Sequence, residues 1–187
     1  MRLTIVAAVL AAAATTACGS STPAAQQGQA TDTPTSASGT SSVTSDKQKP
    51  AVKAELTMQG KPGLGLLTAT NQGGAPITFQ GWPKLSFTNA ANEPAAIAVE
   101  QKLVPGEGPS ITLQPGQTAF AGVLFDTDDT NSFAINEMMA ELPGMTPVKV
   151  TFIGTDGQPI ADMSKLKVSE AKVGTMQPAA QGVTVFD

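Results

Sequence analysis

Histidine and tyrosine are missing from this 187-residue sequence, and cysteine and tryptophan occur once each, at Cys18 and Trp82. Without histidine there is no imidazole base, so Ser-His-Asp and Cys-His catalysis are excluded. A blue-copper site, which needs two histidines and a cysteine, is excluded as well. A lone cysteine rules out a disulfide within the chain. Charge is scarce too, at 14 % of residues, with 11 Lys and Arg against 15 Asp and Glu for a net −4. No basic cluster is dense enough to grip a phosphate backbone, so nucleic acid is not an expected partner.

What is present begins with Arg2 and an apolar run from Leu3 to Ala14, then Thr15-Thr16-Ala17 before Cys18. One cation, a short apolar stretch and small residues describe a secretory signal peptide over 1–17. About a dozen apolar residues are too few to cross roughly 30 Å of hydrocarbon as a helix. The stretch Ala17-Cys18-Gly19-Ser20-Ser21 resembles a bacterial lipoprotein signal. That resemblance implies a diacylglyceryl group on the Cys18 thiol and a mature chain that starts there. It implies an exported protein on the cell membrane or outer membrane, facing the periplasm, wall or exterior. Each buried CH₂ contributes about 0.8 kcal/mol, so two or three acyl chains hold a protein on a bilayer where one does not. Ordinary secretion, with Cys18 a stray thiol, is the alternative.

Residues 19–50 hold 13 Ser and Thr and a single large aliphatic residue, Val43. Such a stretch cannot bury enough surface to offset its ordering entropy, and 18–50 reads as a lipidated cysteine on a disordered linker. A flexible coil of that length reaches roughly 30 Å. From residue 51 the composition changes: all 7 phenylalanines and Trp82 lie in 51–187, with 8 basic and 13 acidic side chains. A domain of net −5 is repelled by anionic lipid, so the anchor and not the surface has to hold it at a membrane.

Within 51–187, β-rich stretches recur between Gly, Pro and Asn at 52–58, 65–71, 77–79, 84–88, 96–103, 110–113, 117–125, 148–153 and 183–186. Short strands and frequent turns predict an all-β antiparallel sandwich. One segment breaks the pattern. Ile135, Met138, Met139 and Leu142 fall at i, i+3, i+4 and i+7, which predicts one short helix over 131–142, ended by Pro143-Gly144.

Asn71-Gln72-Gly73, Pro76-Ile77-Thr78-Phe79-Gln80-Gly81-Trp82-Pro83 and Leu113-Gln114-Pro115-Gly116-Gln117-Thr118-Ala119 together resemble an exported, mostly actinobacterial immunoglobulin-like domain of unknown function, family 4232. The resemblance covers roughly 51–152 and implies an immunoglobulin-like sandwich, often carried on lipoproteins. Ile77 stands where that family usually places a disulfide cysteine, so packing alone must hold this corner. Read from the residues, Gly81 permits a tight bend, Pro83 keeps Trp82 extended, and Pro115-Gly116 suits a type II turn. Trp82 is either a core plug or an exposed contact residue.

For chemistry the sharpest candidate is 126–137. Asp126, Asp128, Thr130 and Glu137 take offsets 1, 3, 5 and 12 of a calcium loop, although Asn131 replaces its turn glycine. The competing reading makes these side chains caps at a helix N-terminus. Met138, Met139 and Met145 offer thioethers to Cu(I), or simply fill core gaps. No serine sits in a G-x-S-x-G elbow, and Gly63-Leu64-Gly65 and Gly73-Gly74 lack the setting of a phosphate cradle. A carboxylate hydrolase needs Glu100 or Glu107 brought near Asp126. The reading carried forward is a non-catalytic binding or envelope-organising domain, without a cofactor, whose partner is an envelope protein or glycan. A hydrolase and a calcium-binding module are its alternatives.

Overall fold

The computed structural model describes residues 51–127 and 131–186. The expected signal peptide, Cys18, the linker, and Asp128 and Thr130 of the acidic loop lie outside the described residues.

The described chain is all β. Its twelve strands are β1 (Val52–Met58), β2 (Leu64–Asn71), β3 (Ile77–Phe79), β4 (Lys84–Asn89), β5 (Pro94–Ala95) and β6 (Ala98–Gln101), then β7 (Ile111–Leu113), β8 (Thr118–Asp126), β9 (Phe133–Glu141), β10 (Val148–Ile153), β11 (Lys167–Val168) and β12 (Glu170–Val173). One large sheet runs β5-β4-β9-β10-β1-β2-β8-β12-β6, with β11 on β9; β3 and β7 form a second, small sheet. The pairing is mixed and not purely antiparallel as expected, because β1 lies parallel to β10 and β12 parallel to β6.

Period-two patterning sets the inner face. Val52, Ala54 and Leu56 of β1, Leu67 and Ala69 of β2, and Ala119, Ala121, Val123 and Phe125 of β8 are all buried. Phe125 packs edge-on against Phe87 of β4, with ring centroids 6.2 Å apart, and stacks on Phe152 of β10 at 6.3 Å. Along the sheet, four strands separate β4 from β8. Rings that far apart in strand order meet only because the sheet twists and curls over its own core, which makes the architecture sandwich-like.

The expected helix over 131–142 is strand β9, and the cause is a bulge. Opposite β4 the register runs Thr88↔Glu137 and then Asn89↔Ile135, so Asn136 is the extra residue. The bulge puts Ile135 and Met138 on one face, three residues apart, and normal alternation then carries Met138, Ala140 and Leu142 inward. Steps of three and then four imitate a helical stripe. The expected strand at 183–186 is also corrected: it is turn and irregular backbone. Val183 is nevertheless fully buried, with its carbonyl seated on Gly122 of β8, where an added Cβ would fall 1.8 Å from that oxygen.

The quoted motifs converge on Asn71, which is 0 % exposed. Its amide nitrogen donates to the Ala75 and Leu113 carbonyls, each at 2.9 Å, and its Oδ1 accepts from Gly73 N at 2.9 Å. Its backbone N–H donates to Gln117 O and its carbonyl accepts from Gly116 N. Pro115-Gly116 forms the expected turn, with Gly116 at φ +83° and Gln117 N donating to Gln114 O.

Candidate functional site

An open groove of about 670 Å³ borders Trp82. Gly81, at φ +98°, turns the chain there, and its carbonyl accepts from Met176 N at 2.9 Å. Pro83 behind it is fully buried. Trp82 itself is half-buried against the core, and its indole N–H donates to Lys102 O at 2.8 Å. The residue is thus both a packing element and a wall of the groove.

The opposite wall is the loop between β6 and β7, held from beneath. Lys102 N donates to Val173 O at 2.8 Å. Thr175, fully buried, gives its backbone N–H to Val104 O and its hydroxyl to Gly106 O at 2.8 Å. Gln177 Nε2 donates to Glu107 O and Gln80 Nε2 to Gly108 O. Gly174 allows the approach, since a Cβ there would lie 2.6 Å from Val104 O. A loop pinned this closely still presents Leu103 to solvent, 60 % exposed. Leu103, Glu107 and Pro143 line the groove with Trp82 and Gln80.

The other candidates separate. Glu137 lies on β9 and pairs with Lys149 Nζ at 2.7 Å, while Asp126 ends β8 on the same rung as Glu170 of β12. The capping reading has no helix to cap among the described residues. Among those residues no group of three or more Asp, Glu, His or Cys is placed to hold a metal ion. Met138 is buried while Met139, its neighbour on the strand, points to the other face, so the two cannot share a copper ion. Ile77 is half-buried in β3 opposite Leu113 of β7, and the corner is joined by strand pairing and a Thr78–Thr112 hydroxyl bond as well as by packing.

Glu100 sits on β6, hydrogen-bonded to the Lys102 ammonium and on the same rung as Lys172. The Lys102 hydrogen bond holds its carboxyl below the ordinary range. Sequence reading singled out Trp82 but missed Leu103 and Gln80 as its neighbours, and weighed Glu107 only as an acid for hydrolysis. The signal for the groove was the loop 102–110 itself, rich in Pro and Gly yet carrying a large aliphatic residue.

A curled, sandwich-like β domain with an open apolar groove among its loops is the class that fold and site define. Residues 48–177 match the model of a family described as a domain of unknown function, DUF4232, and the chain belongs to that family. No curated protein and no solved structure matches the chain.

Proposed function

We propose that this chain is an exported lipoprotein whose immunoglobulin-like domain is a non-catalytic binding module of the cell envelope. Cys18 carries the acyl anchor at a cell or outer membrane, and the Ser/Thr-rich stretch to residue 50 is the tether. Two or three acyl chains supply enough buried hydrocarbon for stable attachment of a domain that is itself acidic. The observation that carries the binding reading is the groove at Trp82: a loop fixed by a buried threonine and two glutamine side chains, yet displaying Leu103 to water. The exposed Leu103 beside the half-buried indole in a concave groove gives a partner apolar surface to cover.

The test is a comparison of the native chain with Cys18→Ala, extracted from membranes. Intact mass spectrometry is expected to find the native product starting at Cys18 with acyl mass added, and C18A in the soluble fraction. Partners that co-purify with the native chain but not with a Leu103→Ser form support the binding role. A native product without acyl groups removes the anchor, and identical partner sets remove the groove.

A further inference from the structure

We propose that the groove beside Trp82 receives a lysine or arginine side chain presented by an extended segment of a partner protein. This rests on the binding reading and names the chemistry of the partner. Charge complementarity carries it. Glu107 is the one acidic or basic residue lining the groove. The nearest cation along the loop, Lys102, has its ammonium committed to Glu100. The indole N–H is engaged inside the fold by Lys102 O, and the Gln80 amide nitrogen gives one bond to Gly108 O.

The groove offers a ligand an indole ring, the aliphatic surfaces of Leu103 and Pro143, the neutral amide of Gln80, and one carboxylate as its charged group. Tryptophan is the strongest aromatic partner for a cation, and a lysine or arginine lays its methylene stem along apolar surface while its head stays polar. An anionic ligand would meet Glu107 with repulsion. A neutral sugar would stack on the ring but leave the charge unused. The volume of about 670 Å³ exceeds one side chain and accommodates its flanking residues.

The chain reports on this site by itself, because Trp82 is its only tryptophan and tyrosine is absent. The full chain is titrated, under tryptophan excitation, with a capped hexapeptide of alternating lysine and leucine. The same peptide with glutamate for lysine and a neutral N-acetylglucosamine tetramer are run beside it. A saturable emission change is expected for the lysine peptide, weaker at high salt and absent with the glutamate peptide. Glu107→Gln is expected to weaken it roughly two- to fivefold, the range of an exposed ion pair. Glu107 joins the fold through its backbone carbonyl, so E107Q keeps the loop, and an unchanged melting curve verifies that. Leu103→Ser, exposed on the same rim, weakens the response as a second variant.

No response to the lysine peptide, equal responses to both peptides, indifference to E107Q, or a response to the oligosaccharide alone would each overturn the proposal. Partners retained by the lipidated chain without any cation response would leave the binding module standing and remove only its basic ligand.

Discussion

Asn71 shows how much of this fold one side chain can secure. Its amide satisfies two carbonyls from different segments, and its oxygen accepts a third bond from the following turn. Replacing it by alanine leaves the buried Leu113 carbonyl without its donor and removes the partly buried bond to Ala75. Asn71→Ala is therefore expected to lower stability by about 2–4 kcal/mol, read from the denaturant midpoint at unchanged slope. Asp162 is a gentler case. Its Oδ1 accepts from the hydroxyl and the backbone N–H of Ser164, which hold its carboxyl below the ordinary 3.8. A carboxylate favoured in the folded state contributes stability above its unfolded value, lost as pH falls through the lower folded one. In a carbon-13 NMR titration its midpoint is expected below 3.8, moving toward that value in Ser164→Ala while the backbone bond still holds it down.

At the scale of elements, the strands that alternate cleanly were legible from residues alone. β1, β3 and β10 match the expected bounds, and β2, β4, β7 and β8 shift by a residue or so. β9 was not legible, because a bulge at Asn136 changes the spacing of buried residues from two to three and a helical period fits the result. Met138 and Met139 separate the two accounts. A helix would bury both, whereas the strand buries Met138 and turns Met139 away. Met138→Ala is expected to cost about 2–5 kcal/mol and Met139→Ala well under half of that, measured by chemical denaturation. β5 and β11, two residues each, carry too little pattern to read. β12 does alternate, with Ala171 and Val173 buried, but Gly174 and the small Ala171 soften its signal.

For the whole molecule, the pairing of β1 with β10 matters most. Ala54 lies beside Val150 in a parallel register, so the centre of the sheet joins residues 96 positions apart. Closing such a loop precedes any gain from the contacts it creates, and folding is expected in the range of milliseconds to seconds. Stopped-flow refolding followed at Trp82 checks this; microsecond folding would contradict it. The same non-locality explains why the groove could be read only in part. Trp82 stood out as the single indole, but the wall facing it is shaped by Thr175 and Gln177, about 70 residues beyond the loop they hold. No local pattern shows that two residues in the segment after β12 will carry a distant loop on their side chains.

The family boundary at residue 177 stops short of Val183, whose carbonyl rests on the bare backbone of Gly122. A protein trimmed to that boundary would uncover a central strand and lose the buried side chain that plugs it. Anyone preparing this domain by its family limits should expect sticky, aggregation-prone material, and restoring nine more residues, through Phe186, should cure it.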